Sequence, residues 1–255
     1  MYKRYIEALQ ISLREHADPK VKDWWENYVK QSAPFMGVKM PLIRAMLQAW
    51  HGQTIAEQLD LDQQKDLALA LLQEEHSEEK LAGILFLQEI LMPAGVVRCD
   101  QDLDGFAQLF AEGSIYDWNI CDWFCVKVLG PLVQQEGEDC AEAISQWRRA
   151  SNLWQARASV VAFVKVAENS SYYPLIKASC QELVRREERF AKTSVGWILR
   201  DVSKYDQGFV SDFVADNLVH FSLESLRNAL KYFPKEERNS YIRLFKDSKS
   251  EVKNE

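Results

Sequence analysis

Glycine and proline are scarce in this 255-residue chain, ten and seven residues respectively. That scarcity argues against a turn-rich β protein and for long helices. No apolar run approaches the roughly 20 residues that cross a bilayer. The opening Met1-Tyr2-Lys3-Arg4-Tyr5-Ile6-Glu7 has no apolar signal core, so it is expected to begin the first helix of the mature fold. Histidine occurs only at positions 16, 51, 76 and 220, too scattered to form a cluster. The five cysteines, at 99, 121, 125, 140 and 180, form no regular framework, and their odd number suits a reducing compartment. A cytoplasmic protein is expected, nucleoid-associated in a bacterium or nuclear in a eukaryote. Cys121 and Cys125 stand one helical turn apart, but no His or second Cys pair is near enough in sequence to complete a tetrahedral site. Buried thiols and no metal are the expectation. A Gly-rich phosphate loop, G-x-S-x-G and H-E-x-x-H are all missing, which argues against the nucleotide-loop, serine-hydrolase and zinc-protease routes. No cofactor is called for.

What is present is ordinary in bulk and uneven in detail. Hydrophobic residues make up 47% and charged residues 27%, as in a soluble protein with a sizeable core. The net charge of −7 at first argues against nucleic acid. Residues 51–117, however, hold three Lys/Arg against fourteen Asp/Glu, whereas residues 141–204 hold eleven against six. Salt screens charges beyond about 8–10 Å, so a basic surface can face phosphates while the acidic part points elsewhere. Solvated helix faces would produce the same runs, and charge alone does not decide between them.

Helical periodicity runs through the chain. Leu67, Leu71 and Leu72 share a face, and Leu81, Ile84, Leu85, Gln88 and Leu91 form one inward stripe with a polar back. Helices are predicted near 2–16, 20–31, 41–50, 62–75, 78–92, 102–112, 116–134, 138–149, 152–167, 172–188, 190–204, 208–218, 222–233 and 235–246. Asp18-Pro19, Met40-Pro41, Ser77-Glu78-Glu79, Ser151-Asn152 and Pro234 supply start chemistry, and Met92-Pro93-Ala94-Gly95 a break. Helix, short connection and helix recur at roughly 35–45 residues per pair, the period of HEAT-like solenoids. No linker divides the sequence. The expectation is an all-α superhelical stack of antiparallel helix pairs, one domain over 1–246 with a frayed tail over 247–255.

Two segments stand out from a generic helical repeat. In Tyr116-Asp117-Trp118-Asn119-Ile120-Cys121-Asp122-Trp123, Trp118 and Asp122 are spaced i, i+4, so an indole and a carboxylate share one helix face. In Val195-Gly196-Trp197-Ile198-Leu199-Arg200-Asp201, Gly196 permits close approach of a backbone or ligand beside a large indole. Between them lies Asn152-Leu153-Trp154-Gln155-Ala156-Arg157-Ala158-Ser159. By spacing alone each Trp reads as core, and the neighbouring Asp as a solvated or capping residue.

Taken in order, Phe35-Met36-Gly37-Val38-Lys39-Met40-Pro41, Trp118-x-x-x-Asp122, Trp154-x-x-Arg157-Ala158 and Gly196-Trp197-x-Leu199-Arg200 resemble the AlkD family of bacterial DNA glycosylases. The resemblance extends from about residue 2 to about residue 246. It implies a C-shaped stack of HEAT-like helices whose concave face holds duplex DNA carrying alkylated purines. It further implies that Trp118 and Trp197 flank the lesion's deoxyribose, that Asp122 is the catalytic carboxylate, and that Arg157 lies beside the backbone at the lesion. Phe190 has an aromatic counterpart in the family. Arg148, Arg149, Arg189, Lys192, Arg200, Lys204, Arg227 and Lys231 are candidates for gripping the DNA backbone. The implied reaction is excision of cationic N3- or N7-alkylated purines, by a monomer with no membrane partner. The family is usually basic and this chain is acidic, a departure that bears on affinity and salt tolerance. Two other readings stay open: a non-catalytic binder of damaged or branched DNA, and a HEAT-type protein-interaction scaffold using the acidic stretch.

Overall fold

The computed structural model describes residues 2–251, and all regular structure among them is helical. The chain divides into two compact units, Met1–Val128 and Leu129–Glu255. The boundary carries no linker. It falls inside an uninterrupted helical run that extends from Trp118 to Glu136.

The first unit holds α1 (Lys3–Glu15), α2 (Pro19–Tyr28), α3 (Met40–Trp50), α4 (Leu61–Gln73), α5 (Ser77–Phe86), α6 (Cys99–Ala111) and α7 (Trp118–Phe124). Their starts follow from local chemistry. The Asp18 carboxylate accepts the Lys20 N–H at 2.8 Å with Pro19 in the first turn. Asp60 and Gln63 form a reciprocal capping box on α4. Helices α3, α5 and α7 pack side by side in that order, with α4 behind α5. Phe106 and Phe110 of α6 meet Phe124 of α7 edge-on at 5.2 and 6.1 Å. Lys65 of α4 reaches Asp102 of α6 at 2.8 Å. Leu67, Leu71 and Leu72 are fully buried, each worth roughly 1.5–3 kcal/mol of transfer free energy.

Helix α5 departs from its sequence pattern. A polar back is expected, yet every residue from Ser77 to Phe86 is buried. The cause is its central place among α3, α4 and α7. Its polar side chains turn inward and serve neighbouring backbone: Glu79 accepts the His76 N–H at 2.8 Å, and Lys80 donates to the carbonyls of Leu72 and Ser114, both at 2.8 Å.

The second unit holds α8 (Gly130–Glu136), α9 (Glu138–Ser145), α10 (Leu153–Val161), α11 (Tyr173–Arg185), α12 (Arg189–Val202), α13 (Gln207–Asn217), α14 (Leu223–Ala229) and α15 (Lys235–Glu251). Here α10, α12 and α14 form a row, backed by α11 and α13, while α9 packs on α11. Asn152 caps α10 by accepting the N–H groups of Trp154 and Gln155 at 2.9 and 3.1 Å. Helix α15 continues to Glu251, past the point where fraying is expected, and 252–255 lie outside the described residues.

The repeat is visible in the numbering. The row helices begin at 40, 77, 118, 153, 189 and 223, intervals of 34 to 41 residues. Four of them end in non-α turns at 51, 87, 125 and 162, the first three π and the fourth 3₁₀. The wider i→i+5 bonds appear as Ala56 N–H to His51 O at 2.9 Å and Met92 N–H to Leu87 O at 2.8 Å. The chain is a helical-repeat array, as its sequence period predicts. All five cysteines are buried thiols. Among the described residues no helix is long and apolar enough to cross a membrane.

Candidate active site

In the first unit the stretch 35–39 completes the connection from α2 to α3. Three successive N–H groups, of Met36, Gly37 and Val38, donate to the Glu78 carboxylate at 2.8, 2.7 and 3.0 Å. Glu78 is only 1% exposed, so the amides supply the solvation that water would otherwise give. Gly37 adopts φ +100°, and a Cβ there would stand 2.3 Å from the Asp18 carbonyl oxygen. Glycine is required at this position. The clasp holds Phe35 under Trp25, with the rings stacked at 5.5 Å and nearly parallel. Trp25 also meets Tyr28 edge-on, and Tyr28 presents its ring to Trp118 at 5.4 Å. An aromatic chain thus runs from the connection through α2 to the first residue of α7. A cavity of about 50 Å³, lined in part by Trp25, Phe35, Glu78, Asn119 and Trp123, lies beneath it.

Helix α7 is capped by Asp117, whose carboxylate accepts the Ile120 N–H at 2.8 Å. Trp118, Asp122 and Val126 recur at i, i+4, i+8 and are half-buried, as are Trp123 and Lys127, whereas Asn119, Ile120, Cys121, Phe124 and Cys125 are buried. Trp118 and Asp122 therefore share the accessible side of the helix. The Lys127 ammonium stands 5.6 Å from the Trp123 ring. Asp117 is 2% exposed. Burial pushes its carboxyl above the ordinary carboxylate range, against the pull of the Ile120 and Asn119 amides, and the nearby Asp122 charge pushes the same way as burial. The Lys80 ammonium works in the opposite direction, and is itself pushed below its ordinary value by burial.

In the second unit α12 presents Phe190, Thr193, Trp197 and Arg200 at i, i+3, i+7, i+10, all half-buried. Trp154 of α10 tilts against Phe190 at 5.2 Å. Arg157 is 4% exposed, and its Nη1 donates to the Phe190 carbonyl at 2.7 Å and to Thr193 Oγ1 at 3.2 Å. It ties α10 to α12. Gly196 packs against α14, where a Cβ would meet the Ser225 carbonyl oxygen at 2.5 Å. The close approach expected at this glycine is that of a backbone. The Arg200 guanidinium lies 5.9 Å from the Trp197 ring and bonds Asp201 at 2.9 Å. Burial works to raise the Asp201 carboxyl, but hydrogen bonds from Arg200 and Lys204 outweigh it and hold the group below its ordinary value. Trp197 Nε1 is buried with no hydrogen-bond partner among the described residues.

A family model described as DNA alkylation repair enzyme matches residues 9–233 of this chain. The chain belongs to that family. A solved structure titled "Predicted DNA alkylation repair enzyme from Enterococcus faecalis" superposes with a TM-score of 0.68 at 20% identity, covering 86% of this chain and 98% of that one. At that identity the likeness is one of fold. No curated protein matches the chain.

In this member of the DNA alkylation repair enzyme family the sequence-derived site residues fall into four groups. Trp118 and Asp122 lie together on the accessible side of α7, and Phe190, Trp197 and Arg200 together on that of α12. Arg149, Arg189, Lys204, Arg227 and Lys231 are exposed, with Arg189 in a two-bond pair to Glu224 at 2.8 and 2.6 Å. Arg157, Arg148 and Lys192 serve backbone: Arg148 bonds the Ser145 carbonyl at 2.8 Å, and Lys192 bonds that of His220 at 2.7 Å. Sequence reasoning passed over Glu78, Asp117 and the α2 aromatics. Trp24-Trp25-x-x-Tyr28 carried a usable signal in its aromatic density. Glu78 carried none, because an acid in a first turn already has the helix dipole as its explanation.

Proposed function

We propose that this repair enzyme is a DNA glycosylase that hydrolyses the N-glycosidic bond of cationic N3- or N7-alkylated purines in duplex DNA. The observation that carries the reading is the shared accessible face of Trp118 and Asp122, with the indole braced by Tyr28 at 5.4 Å. The C1′–N bond breaks with its electron pair going to the cationic purine, which departs neutral without a general acid. Positive charge then grows on the sugar, and water adds to C1′ with loss of one proton. A carboxylate at about 4 Å, in an effective dielectric of about 20, stabilises that charge by roughly 4 kcal/mol, about a thousandfold in rate. An indole face adds about 0.5–2 kcal/mol and excludes water. Asp122 is assigned the electrostatic role and orientation of the water, and Trp118 the cation–π contact.

For the second unit the proposal is DNA binding through its own open face: Trp197 and Phe190 as apolar surface, with Arg149, Arg200, Arg227 and Lys231 toward phosphates. Such contacts position a duplex without reading its sequence. Arg157 supports that face from beneath by its bond to the Phe190 carbonyl.

The test is release of N7-methylguanine and N3-methyladenine from duplex DNA by the native enzyme and by Asp122→Asn. A loss of about a thousandfold is expected. Equal release by the two proteins would remove Asp122 from catalysis. Tight binding of branched duplex without base release by either would favour the non-catalytic binder instead.

A further inference from the structure

The most exposed aromatics of the first unit are not at α7. Trp24 and Tyr28 of α2 are 58% and 53% exposed, and their rings stack at 5.2 Å with an interplanar angle of 8°. Trp25 meets Trp24 edge-on at 4.9 Å. Beside them runs an open groove of about 430 Å³ lined by Trp24, Trp25, Val21, Lys20, Lys39 and Asp18, a size in the range of small-ligand sites. Lys22, one turn away, pairs with Glu26 at 3.7 Å. Lys20 and Lys39 have no ion-pair partner among the described residues. The Asp18 carboxylate is engaged in capping the Lys20 amide. The charge around the groove also inverts that of the stretch that follows: residues 1–50 hold eight Lys/Arg against five Asp/Glu, and 51–117 three against fourteen. An aromatic wall with two unpaired ammonium groups is the chemistry of a nucleotide site, the base stacking and the phosphate bridging the cations.

We propose that the α2–α3 groove is a second DNA-binding site, in which an unpaired base of a DNA strand stacks on Trp24 while its phosphate lies between Lys20 and Lys39. The assignment rests on the chain acting on DNA and is independent of glycosidic chemistry at Asp122. Stacking is indifferent to sequence, since every base has a π face. The site holds a strand wherever pairing is lost.

Fluorescence anisotropy with labelled dT10 and with an undamaged blunt duplex tests this, using the native protein, Trp24→Ala, Trp24→Phe, the double variant Lys20→Ala/Lys39→Ala, and Asp122→Asn. Trp24→Ala is expected to weaken dT10 about tenfold while changing duplex affinity less than about twofold, and Trp24→Phe to restore most of the loss. The double lysine variant is expected to lower the salt slope for dT10 by about 0.7, the one phosphate held between the two ammonium groups. Asp122→Asn should bind dT10 as the native protein does. No binding of dT10 at low salt, equal binding by Trp24→Ala, or parallel losses on dT10 and duplex would each overturn the site. Displacement of dT10 by an equal phosphate concentration of thymidine monophosphate would assign it to a free nucleotide instead of a strand. Absence of base release by the native protein, with Trp24-dependent dT10 binding intact, would remove the glycosylase reading and leave this one standing.

Discussion

Glu78→Gln offers the sharpest measure of how firmly the aromatic chain is held. Oε2 of the native carboxylate accepts from Met36, and Oε1 from both Gly37 and Val38. A glutamine can place its one oxygen at the Oε1 position and keep two acceptances as weaker neutral bonds. Its amino group then faces the Met36 N–H, donor against donor. One stranded buried donor costs about 1–3 kcal/mol, and two charge-assisted bonds reduced to neutral ones cost about 1 kcal/mol more. The sum, about 2–4 kcal/mol, is a large share of the about 5–15 kcal/mol that stabilises a typical fold. At about 2–4 °C per kcal/mol for a chain of this size, the unfolding temperature should fall by about 5–15 °C. Urea unfolding should show a lower midpoint with the slope unchanged. The exposed Glu112, which accepts from Gln108 at 2.7 Å, serves as control, and its glutamine variant should move stability by less than about 0.5 kcal/mol. If Glu78→Gln is as mild as the control, the clasp does not hold the connection and the aromatic chain has another support.

Two further outcomes follow from the same geometry. Gly196→Ala drives a Cβ to 2.5 Å from the Ser225 carbonyl oxygen and 2.9 Å from its Cα, so α14 must shift; a loss of about 1–3 kcal/mol is expected in denaturant titration, and an unchanged midpoint would contradict the packing. Asp117→Asn keeps the cap but removes the charge, whereas Asp117→Ala removes both and should cost about 1 kcal/mol. Because the folded-state value of Asp117 is raised above its ordinary one, its favourable contribution is complete below the ordinary carboxylate range and is lost as pH rises through the raised value. Stability of Asp117→Asn relative to the native protein should therefore improve from acid to neutral pH; parallel pH profiles would refute the buried-charge account.

The caps and breakers made the element boundaries legible. Asp18-Pro19, Asn152 and Pro234 each stand where the sequence chemistry puts a helix start, and the repeat period is present in the apolar pattern before any coordinates. The pairing of Trp118 with Asp122 was readable as well, because i, i+4 spacing is a local property. What the pattern could not convey is the interior use of charge. Glu78, Glu79 and Lys80 look like a solvated first turn, and only the packing of α3, α4 and α7 around α5 reveals that they are buried. Arg157 shows the same limit: the family resemblance singles it out, but its bond to the Phe190 carbonyl 33 residues away is a long-range fact.

The π turns bear on how this chain is to be aligned and engineered. An i→i+5 turn accommodates one residue more than an α turn, and one residue corresponds to about 100° of rotation on a helical wheel. A wheel drawn through 116–134 is in phase for Trp118 and Asp122, which precede the turn at Cys125–Leu129. A one-residue deletion at His51–Ile55, Leu87–Leu91 or Cys125–Leu129 would regularise the turn and leave the residues beyond it in phase. Those three places are where a gap in an alignment of relatives belongs, and where a graft between them should not be cut.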